Sequence, residues 1–332
     1  MNKGSIQEMN VIGIDISKAK LDCACFIGEN KLKFKVFPNT TKGEHDLVEW
    51  ALKNTHLEIN QIHFIMEATG VYHEQLAQQL YEANAMVSIV NPAQVKFYAQ
   101  GLGVRTKNDK KDSAVLARYG LKETPKLWQP EPSEIRALKA LLARLDAVEK
   151  DLQREKNRQE KAIISQVPES VLNSIEQMIE LLEAEQKHLD KLINEHINSH
   201  KKLNENKRLL ESIPGVGKVV AIRMLMVIGS REFNSASQVA AYLGLTPIEH
   251  KSGSSVQGRP HLSKAGNPLI RAKLYMAAVV AIKYNPDIKA QYERLTSKGK
   301  SKMSALGAAM RKLVQICFGV LKHQETYQPQ VG

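Results

Sequence analysis

Cysteine is scarce in this 332-residue chain: Cys23, Cys25 and Cys317 are all there are. Three thiols cannot build a disulfide framework, and a C-x-C pair with one distant partner lacks zinc-ligand spacing. They are expected to be small buried thiols in a reducing compartment. Aromatic residues make up only 5% of the chain, so its cores must be largely aliphatic. No run approaches the roughly 20 apolar residues of a membrane span, and no apolar leader precedes Ile12. Neither a membrane partner nor secretion is expected. Internal repeats and low-complexity tracts are missing as well. Acidic residues nearly disappear towards the end, with 6 in residues 208–332 against 18 Lys and Arg.

What is present is ordinary globular composition, 43% hydrophobic and 25% charged, with a net charge of +12. At roughly 100–200 residues per domain, such a length implies two or three domains. Residues 1–130 hold 16 basic and 14 acidic residues and residues 131–207 hold 13 and 15, so the whole positive excess lies in the last third. A balanced front and middle with a strongly basic back is the pattern of a polyanion-binding module joined to something else.

Apolar and polar residues alternate in three strand-like runs, Val11–Asp15, Leu21–Ile27 and Leu32–Phe37, with a turn signal at Gly28-Glu29-Asn30. A helical pattern over Lys42–Lys53 precedes a strand at His63–Glu67. A helix over Tyr72–Ala83 and a strand at Met86–Val90 follow, ending at Asn91-Pro92. Another helix is expected over Asp109–Tyr119. This order is α/β, with an antiparallel hairpin opening a mixed sheet. Beyond Pro125, Pro130 and Pro132, Leu138, Leu141, Leu145, Val148 and Leu152 form a heptad seam. Pro168 interrupts it, and a second pattern runs through Ile175, Met178, Leu182, Leu189 and Leu192. Together they predict a long antiparallel helical hairpin over 131–207, serving as a spacer or an oligomerisation arm. Residues 208–332 read as mostly helical, with Gly- and Ser-rich loops between Pro247 and Pro268.

Chemistry-bearing residues gather in two places. Asp15 sits in an otherwise apolar strand, where an acid is tolerated only if it is paired, binds a cation or emerges at an edge or cleft. Glu67 ends the strand Phe64-Ile65-Met66-Glu67. Asp109 and Asp112, three apart, share one helix face. Four such acids suit a hard divalent cation, Mg2+ or Mn2+, and phosphodiester chemistry. Sugar kinases and actin-like ATPases open on a similar hairpin and Gly-x-Asp, but their later Gly-rich phosphate loops and second sheet are not found. In the basic third, Ile213-Pro214-Gly215-Val216-Gly217-Lys218 reads as a helix-hairpin-helix-like turn, whose amides grip a phosphate without reading bases. Basic residues there alternate with Gly and Ser, which favours contact with phosphate over base stacking. Ser252, Ser254 and Ser255 lie on a glycine-flanked loop among cations, where a serine can act as a nucleophile towards phosphate.

Together these residues resemble the DEDD-type insertion-sequence transposases, a group that includes the Piv-like site-specific DNA invertases. The resemblance runs over nearly the whole chain. It is carried by Gly13-Ile14-Asp15, Ser17-Lys18, Glu67-Ala68-Thr69-Gly70 with Tyr72, Asn91-Pro92, and Lys107-Asn108-Asp109 with Asp112. It continues through Ile213–Gly217, Gly244-Leu245-Thr246-Pro247, Ser252-Gly253 and Lys264 with Gly266-Asn267. Asn108 and Ser113 stand where relatives often have Thr and Ala. The resemblance implies an RNase H-like (RuvC-like) mixed-sheet domain over 1–130, with Asp15, Glu67, Asp109 and Asp112 as metal ligands. It implies a helical domain over 208–332 with Ser252 as the essential serine, and nucleic-acid contacts at Lys107, Gly215, Gly217, Lys218, Lys251, Arg259, Lys264, Arg271 and Lys273. Donor and target DNA, a structured guide RNA and a tetramer (a dimer of dimers) are the implied partners, and a nucleoid-associated cytoplasmic location goes with them. The activity so read is recombination: insertion, excision or inversion of a mobile segment. A Holliday-junction endonuclease using metal-activated water, or a nucleic-acid-binding protein without catalysis, would fit the same charge pattern.

Overall fold

The computed structural model describes residues 11–27, 31–68, 70–103, 108–249, 251–252, 256–257 and 260–330, with 251–252 and 256–257 described by backbone alone. The expected turn at Gly28-Glu29-Asn30 lies outside the described residues. The chain divides into two compact units, Met1–Pro130 and Glu131–Gly332.

The first unit is built on five strands, β1 (Val11–Ile16), β2 (Lys20–Phe26), β3 (Leu32–Pro38), β4 (His63–Glu67) and β5 (Met86–Val90). Their order is β3-β2-β1-β4-β5. The first three strands are antiparallel, and β4 and β5 join β1 in parallel. This mixed sheet is what an RNase H-like domain requires. Hairpins account for the antiparallel half. The parallel half needs crossovers, supplied by α1 (Thr41–Thr55) and α2 (Glu74–Glu82). The second of these helices starts at Glu74 rather than Tyr72, which stays exposed in a turn. A helix that the sequence pattern did not reveal, α3 (Pro92–Gly101), opens where Asn91 accepts a hydrogen bond from the Ala93 amide and Pro92 takes the first helical position. The last helix of the unit is α4 (Asp109–Glu123).

Period-two alternation sends the strand residues to two cores. Ile12, Ile14, Leu21, Cys23, Cys25, Phe64 and Met66 face α1 and α2 and pack with Leu47, Trp50, Leu76 and Leu80. Val11, Ile65 and Val90 face the other way, against Val115 and Leu116 of α4, and Ala24 and Phe26 meet Ala117. Gly13 lies on that second face. A Cβ there would stand 2.1 Å from the Ser113 carbonyl oxygen and 2.3 Å from the Ala117 amide nitrogen. Helix α4 therefore rests directly on the β1 backbone, and no larger residue leaves it room.

Gly13→Ala is expected to push α4 off the sheet and cost about 1–3 kcal/mol, the usual range for overpacking against atoms that cannot rotate away. Thermal unfolding of the variant checks this, and an unchanged midpoint would show that the close approach is dispensable.

The second unit contains α5 (Ser133–Ile164), α6 (Glu169–Ser199), α7 (Lys201–Glu211), α8 (Lys218–Gly229) and α9 (Ala236–Tyr242). It continues through four two-residue strands, β6 (Pro247–Ile248), β7 (Lys251–Ser252), β8 (Val256–Gln257) and β9 (His261–Leu262). The chain then forms α10 (Pro268–Tyr284), α11 (Pro286–Ser297) and α12 (Lys302–His323). Helices α5 and α6 run antiparallel, joined by Lys156–Glu183 at 2.7 Å, by Gln159 donating to Glu176, and by a hydrogen bond between His196 and the Glu134 carbonyl. The α5 seam buries Leu138, Leu145, Val148 and Leu152 together with Ile135 and Leu142. On α6 the seam needs correction. Ile179 is buried and Met178 is exposed, because Ile179 stays on the stripe of Ile175, Leu182, Leu189 and Ile193. The base of the helix pair, Ile135–Val148 and Leu189–Ile197, shares one core with α8–α12.

Helix α12 also corrects an expectation. Its 22 residues are long and apolar enough, by length and composition, to cross a membrane. Leu306, Met310, Leu313, Val314 and Cys317 of this helix are buried in the core of the unit, which accounts for its apolarity. The three cysteines are free and buried, and burial pushes the Cys25 thiol up to about 11 and Cys317 to about 12.

Candidate active site

Five carboxylates converge at one end of the α4 face of the sheet. Asp15 shares that face with Gly13, and the hairpin register sets Asp15 directly opposite Asp22. Glu67 ends β4, whose Met66 is paired with Ile14, so it lies beside Asp15 on the same face. Asp109 and Asp112 occupy the first turn of α4, which Asn108 caps by accepting from the Lys111 amide at 2.8 Å. The contact at Gly13 brings that turn down onto the strand. Burial first, and then the charges of Asp112, Asp109, Asp22 and Glu67, push Asp15 from 3.8 up to about 6. Each of the other three acids singled out in the sequence thus bears on Asp15 electrostatically.

Lys20 stands among them. Its ammonium donates to Asp109 at 2.6 Å and pairs with Asp22 at 3.0 Å. Both carboxylates hold its pKa well above the usual lysine range. Lys20 opens β2 after a turn in which the Ser17 hydroxyl donates to the Lys20 carbonyl. Neither Lys20 nor Asp22 stood out in the sequence. The signal was there in the tight Ser17–Ala19 connection, which fixes the register so that Asp22 must face Asp15.

The donor set is all oxygen and mutually repulsive, which suits a hard divalent cation. As the side chains stand, no three His, Cys, Asp or Glu among the described residues are gathered on a point that would hold an ion. The other carboxylates raise the pKa of Asp15, and the Lys20 ammonium lies between Asp22 and Asp109.

In the second unit, Ser252 lies on β7, paired in register with Val256 of β8. Nothing is described of its side chain or that of Lys251, and Lys107, Gly253, Ser254, Ser255 and Arg259 lie outside the described residues. The glycine turn joins α7 to α8. Gly215 has φ +98°, and a Cβ on it would lie 2.7 Å from that of Ala281, so both its backbone conformation and its contact with α10 require glycine. Gly217 begins α8 without a side-chain cap, and Lys218, the first helical residue, is exposed. A cavity of about 1140 Å³ opens beside this turn, lined in part by Gly217, Lys218, Lys273, Met276 and Val280. Lys264 is exposed. Two other cations have partners within the protein. Arg271 donates to the Gly266 carbonyl at 2.8 Å, and Lys273 to Glu149 at 3.3 Å. Beneath the turn, Arg223 of α8 is buried and grips both carboxylate oxygens of Asp146, tying α8 to α5.

Comparison with known proteins adds to this geometry. A model of DEDD transposases of the IS110 type matches residues 12–168. A second model, for transposases of the IS116/IS110/IS902 family, matches residues 207–293. The pilin gene-inverting protein of Moraxella bovis is 36% identical over 322 residues, 96% of this chain and 98% of that protein. Its namesake in Moraxella lacunata is 37% identical over the same length. The transposase for insertion sequence element IS1111A of Coxiella burnetii is 28% identical over 138 residues, 40% of this chain and 38% of that protein.

Proposed function

The chain belongs to the IS110 family of DEDD transposases, and on that premise we propose that it exchanges DNA strands through a serine–phosphate intermediate. It is a DNA transposase or recombinase. The observation that carries the reading furthest is the placing of Asp15 and Glu67 on adjacent strands, on the face against which α4, with Asp109 and Asp112 in its first turn, is packed.

In this reading Asp15, Glu67, Asp109 and Asp112 hold Mg2+ or Mn2+. A divalent cation there supplies Lewis-acid stabilisation of charge on a phosphoryl oxygen. The remaining chemistry belongs to the chain. Ser252 Oγ attacks a backbone phosphorus, an Oγ–P bond forms as a P–O bond of the DNA breaks, and the severed strand leaves with a hydroxyl. When the hydroxyl of an exchanged strand attacks in turn, the Oγ–P bond breaks and serine is restored. Bond energy is conserved, so joining needs no external energy source. Lys218 and Lys264, with the uncapped start of α8, hold phosphates of the duplex, and Lys251 and Arg259, close to the serine in the sequence, add positive charge there. The acids and the serine belong to different compact units. A tetramer in which one subunit's serine meets another's acids gives the α5–α6 pair a purpose as an assembly arm. The excess of cations in residues 208–332 serves the DNA and an element-encoded guide RNA.

A plasmid carrying both ends of the element, incubated with the protein, Mg2+ and nucleic acid co-purified from its host, should yield recombined circles. Free nicks alone would favour a hydrolytic resolvase-type nuclease. Binding without any strand breakage would leave only a nucleic-acid-binding role.

A further inference from the structure

We propose that Lys20 is the built-in counter-ion of the acidic site, exchanged for the divalent cation when the latter binds, with Asp22 retaining the ammonium afterwards. The inference rests on the reading of the acids as metal ligands and deepens it.

The geometry argues for exchange over a permanent bridge. Lys20 spans two carboxylates of different standing. Asp22 sits on a strand, buried and fixed by its register with Asp15. Asp109 sits at the exposed start of a helix, and its side chain is 54% exposed. The 2.6 Å hydrogen bond from Lys20 uses Asp109 Oδ2. A divalent ion that takes Asp109 as a ligand would stand within a few ångströms of that ammonium, and two like charges so close repel strongly. The lysine gives way more easily, since its compact charge rides on a flexible stem that is 43% exposed. Asp22 remains at hand to pair with it.

The nearby cation Lys110 does not substitute for it, because its ammonium lies over the Phe34 ring, 4.6 Å from the centroid. Without an ion, Asp15 and Asp22 face each other across the hairpin, and Lys20 is the cation between Asp22 and Asp109. A tethered ammonium lets this arrangement exist before metal arrives. The consequence is weaker metal affinity than the acids alone would give.

The test uses the full chain, stripped with EDTA and titrated with Mn2+ by calorimetry. Lys20→Met should bind Mn2+ about tenfold more tightly, the order expected from removing one like charge a few ångströms away. Its metal-free unfolding midpoint should fall below wild type, and adding Asp22→Asn should restore part of that loss by removing an uncompensated charge. Equal or weaker Mn2+ binding by Lys20→Met would overturn the inference. Asp15→Asn separates the two levels. If it abolishes wild-type binding while Lys20→Met changes nothing, only the role of Lys20 fails. If no binding depends on Asp15, the metal-site reading fails and this inference goes with it. The unmutated chain gives a second readout, since Mg2+ should speed acylation of Lys20, followed by peptide mass, by freeing it from Asp109. An unchanged rate would contradict exchange.

Discussion

Asp15→Asn is expected to reduce strand cleavage below detection while leaving the metal-free protein folded and more stable at neutral pH than wild type. The first half follows from charge. An amide keeps the shape of the carboxylate but cannot neutralise a cation, and the remaining acids then balance it poorly. The same loss is expected for Glu67→Gln, Asp109→Asn and Asp112→Asn.

The stability gain follows from linkage. In the folded chain Asp15 is raised from 3.8 to about 6, chiefly by burial and then by Asp112 and Asp109. A carboxyl raised in the folded state stabilises the fold fully below its unfolded value, and that contribution is lost as pH rises through the folded value. At pH 7 the charged, half-buried Asp15 therefore works against folding, and the amide removes the conflict. Wild type without metal should gain stability between pH 7 and pH 4 from this group, and Asp15→Asn should gain less. Thermal unfolding against pH, beside a cleavage assay, checks both halves. A variant that cleaves at the wild-type rate would sink the metal-site reading.

Ser252→Ala is expected to abolish recombination outright while leaving DNA binding and divalent-ion binding intact. A recombinase must hold the cut end until a new partner arrives, and a serine ester does so where a hydrolysed end cannot. Serine is a weak nucleophile, so the attack depends on cations and preorganised donors around the developing charge. Lys251, Arg259 and Lys264 are near the serine in the sequence. Ser254 and Ser255 are the neighbours that could take over, and their alanine variants should recombine at near wild-type rates. Counting recombined circles for the three variants decides among them. If Ser252→Ala recombines normally and Ser254→Ala does not, the mechanism stands and the residue moves.

The four acids stand out in the sequence because each breaks a local rule: Asp15 and Glu67 as charges in apolar strands, Asp109 and Asp112 as a three-residue spacing. Asp22 and Lys20 were harder to see, since their meaning comes from the pairing across the β1–β2 hairpin, which a residue-by-residue reading does not supply. Helix α3 was hidden because Asn91-Pro92 reads as a strand terminator, whereas Asn before Pro also caps and opens a helix. Met178 and Ile179 both satisfy a heptad spacing, and only packing against α5 chooses the isoleucine. Arg271 and Lys273 count towards the basic surplus in composition, yet the fold gives the first to backbone carbonyls and the second to Glu149. Net charge records how many cations there are, not where their side chains end.

The most direct measurement is a covalent trap. Wild-type protein and Asp15→Asn are each incubated with a nicked DNA substrate and Mg2+, denatured, digested and mapped by peptide mass. The account predicts a nucleotide-modified peptide bearing Ser252 from the wild type and none from Asp15→Asn. Strand cleavage by wild type with no adduct, or an adduct formed equally well without Asp15, would contradict it.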